Sequence, residues 1–393
     1  MQIVVVGGGF GGVKAALELS KNKRANITLI SDSEHFQYYP ALYSTATGGS
    51  HMQSWIPLGE IFAKRQNVNI IIDRAVKLDR AARTLTTSSG AAHSYERLIL
   101  SLGSTTTYFG IEGLNDFSYG IKSYAEIQRL KQHLIRDFSE AHAADSQFLV
   151  VGAGPTGVEL ASSLGDYLKH LKDHYKQPNP HVSIKIIEAA PRVLPRMSEK
   201  ASAKVAKRLK KLGVQVQTNK KVEAETPDAL IVSGKALKTE TVVWTSGVAN
   251  NPFFKENADQ FELSPNGKVV VDSHLRVDTR VYVIGDNAFT PFSGLAQIAL
   301  HDGIFAAKHI LGKSKRKYHA SLPPVVVPVG ERWAVFEYKK ILIGGFIGHL
   351  IRQAADFVGY RDILPFWSAV KHWHSQTQRQ EDVYIPEFDM AKE

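Results

Sequence analysis

Six glycines carry the first chemical signal in this chain. Gly7, Gly9 and Gly12 are spaced G-x-G-x-x-G, and Gly152, Gly154 and Gly157 repeat the spacing. In such a set the first glycine lets the chain turn. The second clears the backbone for a pyrophosphate, and the third lets a helix pack closely on the preceding strand. The helix start then offers free N–H groups and a positive dipole end to the phosphates. A single set is also how an ordinary turn reads; its repetition points to two nucleotide-binding folds, one for a flavin and one for a nicotinamide dinucleotide. An acid belongs at the end of the next strand, to hold a ribose. In the first fold the aligned position is Ser31 with Asp32 beside it, and Asp32 is the candidate, a solvated turn acid being the alternative. In the second fold the position is Glu188. No arginine follows it at once to receive a 2′-phosphate, which favours NADH over NADPH; Arg192 is the nearby cation that argues the other way.

The elements that must position these residues follow from the pattern. Residues 2–6 read as a buried strand, leading through the glycines into an alanine- and leucine-rich helix to residue 19. Residues 26–30, 68–72, 74–78 and 97–102 read as further strands, the last ending at Gly103-Ser104. Residues 38–48 (YYPALYSTATG) read as a loop able to wall a flat ring. A helix over 123–138 and a small linker at 141–146 lead to the second strand–glycine–helix unit. An insertion at 166–180 interrupts it, and strands at 182–187 and 242–247 complete it. Residues 199–212 form a basic helix, read first as a solvated face. The strand 281–284 ends at Gly285-Asp286, and a helix over 295–311 begins with Ala296-Gln297. Its dipole would favour negative charge on a reduced flavin's pyrimidine edge. Residues 332–343 read as a hairpin. Over 345–359, Phe346, Ile347, Leu350, Ile351, Ala354 and Val358 share one helical face, and His349, Arg352, Gln353 and Asp356 the other. Ile363, Phe366, Trp367, Val370 and Trp373 also fall at helical spacing. These helices read as an in-plane membrane anchor, with packing on the protein or a dimer contact as the alternatives. The acidic end (Glu381, Asp382, Glu387, Asp389) would stand away from anionic lipid.

Composition narrows the function. A net charge of +10 suits an anionic partner: phosphate-rich cofactor, acidic membrane or nucleic acid. No basic patch interleaved with aromatics supports nucleic acid, so none is expected. The absence of cysteine removes disulfides, thiolate metal sites and dithiol redox chemistry, which leaves redox work to a bound cofactor. No metal is expected. No secretory leader is read at Met1, and no apolar run reaches the ~18–20 residues that span a bilayer.

Taken in order, these segments identify a family. GGGFGG at 7–12, YYPALYSTATG at 38–48, SLGSTTTYFGIEGL at 101–114, GAGPTGVEL at 152–160, EAAPRVLP at 188–195, VVWTSGV at 242–248, VIGDNA at 283–288 and AQIALHDG at 296–303 cover nearly the whole chain. The chain resembles the two-dinucleotide-fold flavoprotein oxidoreductases, and among them the type II NADH dehydrogenases (NADH:quinone oxidoreductases). The resemblance implies an α/β protein with two Rossmann-like domains, for FAD and NADH, and a C-terminal hairpin and amphipathic-helix region for membrane association. The FAD domain would take residues 1–115 and 253–325, the NADH domain 116–252 and the membrane region 326–393.

The same resemblance implies the site. Gly7, Gly9, Phe10, Gly11 and Gly12 would hold the FAD pyrophosphate, Thr47 and Gly48 lie near the ring, Val76 near the adenine and Gly103 near the diphosphate. Gly285 and Asp286 would meet the ribitol, and the backbone of Ala296 and Gln297 the flavin. Gly152, Gly154, Thr156, Gly157, Glu159, Glu188 and Gly247 would serve NADH. Hydride would pass from NADH to flavin N5, and two electrons on to a membrane quinone, without proton pumping. Glu159 is the candidate for proton handling, its alternative being a carboxylate stabilised by the helix dipole. Gln297 would face the quinone. His301 replaces the second glutamine of the family's A-Q-x-A-x-Q motif and could bond a quinone carbonyl or deliver a proton. Lys371 is the best match to the family's C-terminal lysine. The expected setting is the cytoplasmic face of the cell membrane, as a peripheral homodimer. The alternative is a soluble NADH-dependent reductase of a small electron-transfer protein.

Overall fold

The structure is a computed structural model that describes residues 1–139, 147–176 and 182–380. The expected linker at 141–146, the end of the 166–180 insertion and the acidic residues Glu381, Asp382, Glu387 and Asp389 lie outside the described residues. Strand β1 (Gln2–Val6) is central. It pairs in parallel with β2 (Asn26–Ser31) and with β4 (Arg97–Leu100), while β3 (Val68–Ile72) extends the sheet beyond β2. Burial on both faces explains the unbroken apolar run from Ile3 to Val6. Helix α1 (Phe10–Leu19) leaves the first glycine turn. Within the segment read as a loop, α2 (Leu42–Ala46) forms instead, because Leu42 and Ala46 find places in the core of the second fold.

After helix α3 (Tyr124–Ser139) the pattern repeats. Strand β5 (Gln147–Val151) leads through the second glycine turn into α4 (Pro155–His174), which runs on through most of the segment read as an insertion. Strand β6 (Ser183–Ile187), helix α5 (Glu199–Lys211) and strands β7 (Gln215–Gln217) and β8 (Thr241–Trp244) complete a parallel sheet of order β7-β6-β5-β8. The registers of the two folds coincide. Val6 pairs with Ile30 and Val151 with Ile187, and Gly7 N and Gly152 N each donate to the paired isoleucine carbonyl at 2.8 Å. Ser31 and Glu188 are therefore counterparts.

The chain then returns to the first fold. Strand β9 (Val281–Val283) joins the free edge of β4, giving the order β9-β4-β1-β2-β3. Helix α6 (Ala296–Ile310) packs on α1 backbone to backbone; a Cβ on Gly303 would lie 2.5 Å from the Gly11 carbonyl oxygen.

The tail forms an antiparallel sheet of β10 (Val325–Pro328), β11 (Ala334–Tyr338) and β12 (Ile341–Gly345), then α7 (Phe346–Arg361) and α8 (Phe366–His374). It is stitched into both folds. Val327 and Val335 enter the core of the second, while Tyr360, Ile363, Leu364 and Ala369 enter that of the first. Lys14 of α1 donates to the Asp362 carboxylate at 3.0 Å and to its carbonyl at 2.7 Å. The faces of α7 are the reverse of a soluble helix: Arg352 and Asp356 are buried, whereas Phe346, Ile347, Leu350 and Val358 are exposed, Ile347 by 62%. On α8, Phe366 and Trp367 are exposed, but Trp373 packs on the protein. Among the described residues no helix is long and apolar enough to cross a membrane.

Candidate active site

One cavity of about 680 Å³ runs between the folds, inside the ~300–1,000 Å³ range of cofactor sites. Gly7, Gly9, Phe10 and Gly11 line it from the first glycine turn, Thr156 and Glu159 from α4, Gly247 from the turn after β8, and Gly285, Asp286 and Ala296 from the returning chain. Three helices begin here: α1, α4 and α6. Their N-caps are Gly9, Gly154 and Leu295, and none of the three has a side-chain cap. Their first-turn N–H groups, at the positive dipole ends, are ready for anionic groups. The glycines divide by role. A Cβ on Gly12 would lie 2.0 Å from the Gly7 carbonyl oxygen, and one on Gly157 1.9 Å from that of Gly152. Those two close the turns. At Gly9 and Gly154 a Cβ would meet nothing within 4 Å, which is the room a phosphate needs. The residues present fit a dinucleotide at each turn.

The acids take up distinct positions. Ser31 and Asp32 both line the cavity, the Ser31 hydroxyl donating to the Ser33 carbonyl at 2.8 Å. Glu188 accepts from Ala153 N at 2.6 Å and from Ala190 N at 2.7 Å, so its carboxylate lies against the second glycine turn. Arg192 donates to the carbonyls of Met197 and Pro195, both at 2.8 Å, and to Ser202 Oγ. Its guanidinium is engaged by its own loop rather than held free for a 2′-phosphate.

A buried charge cluster adjoins the cavity at Glu159. Arg352 NH1 donates to Glu159 Oε1 at 3.1 Å, its Nε to Asp356 Oδ2 at 2.7 Å and its NH2 to the Pro40 carbonyl at 2.6 Å. The Tyr38 hydroxyl reaches Asp356 Oδ1 at 3.3 Å, and the Tyr43 ring lies 5.9 Å from the guanidinium carbon. One cation thus serves two buried carboxylates. Burial pushes the Glu159 pKa up to about 7 from an ordinary 4.5; Arg352 opposes the rise and Asp356 adds to it. A cavity carboxyl that exchanges its proton near neutrality is suited to general acid–base work. The cation here is Arg352, from the polar face of α7; Lys371 is exposed on α8 and does not line the cavity. Arg352 turns inward because its partners, Glu159 and the Pro40 carbonyl, come from elements far away in sequence.

The remaining expected residues are spread around this centre. Gly103 lines the cavity and donates its N–H to Asn287 Oδ1 at 3.0 Å. Thr47 donates its hydroxyl to the Tyr43 carbonyl at 3.0 Å, and Gly48 packs against the Tyr167 ring; the cavity wall in this region is Tyr39, Leu42 and Tyr43 instead. Val76 is exposed and its neighbour Ala75 lines the cavity. Gln297 and His301 are exposed and lie outside the lining, although Ala296 and Ala299 of the same helix belong to it. The His301 ring sits 5.6 Å from that of Tyr318, and the partial desolvation of the ring together with Lys308 lowers its pKa. Reading the sequence missed Lys122, whose ammonium donates to Ser104 Oγ at 2.9 Å, that hydroxyl in turn donating to Asp286 Oδ2 at 2.8 Å. The available signal was its place directly before Ser123-x-x-Glu126, a capping-box pattern that fixes a helix start.

Two nucleotide folds, sharing one cavity and three open helix starts, define a dinucleotide-dependent oxidoreductase architecture. The model of the pyridine nucleotide-disulphide oxidoreductase family matches residues 1–303, and the chain belongs to that family. It is 29% identical to the type II NADH:quinone oxidoreductase NdhA of Mycobacterium tuberculosis, over 92% of this chain and 84% of that protein. It is 28% identical to the type II NADH:quinone oxidoreductase of Staphylococcus aureus, over 79% and 81% of the two chains. The solved structure of NDH2 from Plasmodium falciparum in complex with NADH shares the fold with a TM-score of 0.85 at 17% identity, covering 95% of this chain and 97% of that one.

Proposed function

We propose that this chain oxidises NADH and reduces a membrane quinone by two electrons through bound FAD, as a peripheral membrane enzyme that does not pump protons. The observation that carries the reading is the convergence of three uncapped helix starts, from both nucleotide folds, on one cavity with Glu159 in its wall. The named activity of the relatives in Mycobacterium tuberculosis and Staphylococcus aureus supports it. The domains follow the division 1–115 with 253–325 for FAD, 116–252 for NADH and 326–393 for the membrane.

The first glycine turn, Asp32, Gly103 and Asp286 would hold FAD; the second glycine turn, Thr156, Glu188 and Gly247 would hold NADH. Bound FAD supplies the two-electron chemistry, accepting hydride and giving up an electron pair. The chain supplies the setting. The open start of α6 favours negative charge at the edge of the cavity beside Ala296. Glu159 holds or releases a proton near pH 7, and Arg352 keeps its ionised form tolerable. Tyr39, Leu42 and Tyr43 supply a largely apolar stretch of the cavity wall. Phe346, Ile347, Leu350 and Trp367 would enter an anionic lipid surface, on the cytoplasmic face, and a second copy would complete a homodimer.

Anaerobic stopped-flow absorbance of the flavin tests the reading. NADH should bleach it rapidly and a short-chain quinone should restore it, with NADPH much slower. No bleaching by NADH would overturn the proposal. Bleaching without recovery would keep NADH oxidation and replace the quinone by another acceptor.

A further inference from the structure

Lys122 stands just before α3. Ser123 and Glu126 cap that helix reciprocally: Ser123 Oγ accepts from Glu126 N at 3.2 Å, and Glu126 Oε2 accepts from Ser123 N at 2.8 Å. The same Glu126 oxygen accepts from Lys122 N at 2.6 Å. The backbone of Lys122 is therefore fixed, and the Glu126 carboxylate is occupied by N–H groups. The side chain is half-buried and lines the cavity.

An ammonium carries three donors. Among the described residues that of Lys122 has one hydrogen-bond acceptor, the neutral Ser104 Oγ, and it reaches the Asp286 carboxylate only through that hydroxyl. Burial holds its pKa down to about 8, against the pull of Asp286 and Glu126. A partly desolvated cation with unused donors is costly unless an acceptor arrives. The cavity is otherwise lined by the carboxylates of Asp32, Asp73, Glu126, Glu159 and Asp286, and its other cation, Arg74, is exposed. The helix starts offer N–H groups to phosphates, but the side chains of the lining offer little positive charge, so one inward cation matters more here than on a surface.

We propose that Lys122 is a dinucleotide-binding residue whose ammonium grips an anionic oxygen of a bound cofactor. This rests on the reading that the cavity holds FAD and NADH. Both cofactors carry such oxygens, and Lys122 lies where the folds meet, so affinity measurements must tell them apart. Lys122→Met should raise one Kd by roughly 10- to 100-fold, the loss of one charge-assisted hydrogen bond. Lys122→Arg should stay within a few-fold of the parent.

The full-length chain is purified and its flavin-to-protein ratio and FAD Kd are measured; NADH is then titrated into the dithionite-reduced holoprotein, so that nothing turns over. Loss of FAD affinity assigns the contact to FAD. Full flavin with weakened NADH binding assigns it to NADH. Either result, rescued by Lys122→Arg, supports the proposal. Both affinities within two-fold of the parent in Lys122→Met would overturn it and leave Lys122 a strut for Ser104. Should Lys122→Met not fold by circular dichroism, Lys122→Gln decides on the same measurements. A parent chain that binds no flavin overturns the functional reading as well, whereas a flavin-loaded parent with an unaffected variant overturns the Lys122 contact alone.

Discussion

Replacing Glu159 by glutamine tests whether burial or Arg352 controls this carboxyl. The ordinary pKa of 4.5 rises to about 7 in the folded chain. The folded state therefore binds the proton more tightly than the unfolded one. The stability this contributes is fully present below about pH 4.5 and is lost as pH climbs through about 7. The gap between those two values corresponds to on the order of 3 kcal/mol. The amide of the substituted side chain has no such proton to lose. Relative to the parent, Glu159→Gln should thus gain on the order of 3 kcal/mol between about pH 5 and pH 8, whatever its fixed offset from the altered bond to Arg352. Thermal melts of both proteins with bound FAD, at about pH 5, 6, 7 and 8, give the difference directly. A difference that stays flat across this range would refute the reasoning: Glu159 would then be ionised throughout, with the ion pair outweighing burial. The same substitution should remove any titration near pH 7 from the rate of flavin reduction by NADH.

Other outcomes follow from the same structure. Arg352→Met leaves Glu159 and Asp356 buried without a cation and should cost roughly 3–5 kcal/mol, read as a fall in Tm; Arg352→Lys should fall between it and the parent, since one ammonium cannot reproduce three directed contacts. Gly157→Ala forces a Cβ to within 1.9 Å of the Gly152 carbonyl oxygen and should abolish NADH binding while flavin is retained; Gly12→Ala should do the reverse, read by flavin content. Serine at Ile347 and Trp367 should weaken co-sedimentation with anionic vesicles by about 10-fold or more, without slowing NADH-driven reduction of a soluble dye.

The glycine turns were legible because everything they require is local. A strand, a spacing and a helix start lie within about a dozen residues, and the steric need at Gly12 and Gly157 is set by the turn's own backbone. The acid of the second fold was legible for the same reason. Helix α7 shows the limit. Its periodicity separated the apolar set around Leu350 from the polar set of Arg352 and Asp356, yet could not say which set faces inward. That depends on Glu159, 193 residues earlier, and on the Pro40 carbonyl, 312 residues earlier. Lys371 is read as the match to a family lysine, and nothing in the sequence points to the buried cation, Arg352, on the preceding helix. The segment 38–48 reads as a loop from Pro40 and its small polar residues, and α2 forms there only because the second fold offers its core to Leu42 and Ala46. Lys122 carried no chemical motif; its meaning comes from Ser104 and Asp286, which the fold brings to it.

The late arrival of β9 beside β4 has a consequence for synthesis. When the ribosome has made the first fold's four early strands, the apolar edge of β4 (Leu98 to Leu100) has no neighbour, and the face of α1 around Gly11 has no α6 to cover it. About 180 residues separate β4 from β9, which at 5–20 residues per second is roughly ten to forty seconds of translation. The parallel sheet of the second fold, whose strands all lie between Gln147 and Trp244, has all its strands before that interval ends, although its core still awaits Val327 and Val335 of the tail. The nascent chain thus has every strand of its middle sheet before it has every strand of its first. Its beginning waits as an open-edged sheet, and an arrest late in this interval would release a chain with one sheet fully paired and the other left with an exposed pairing edge.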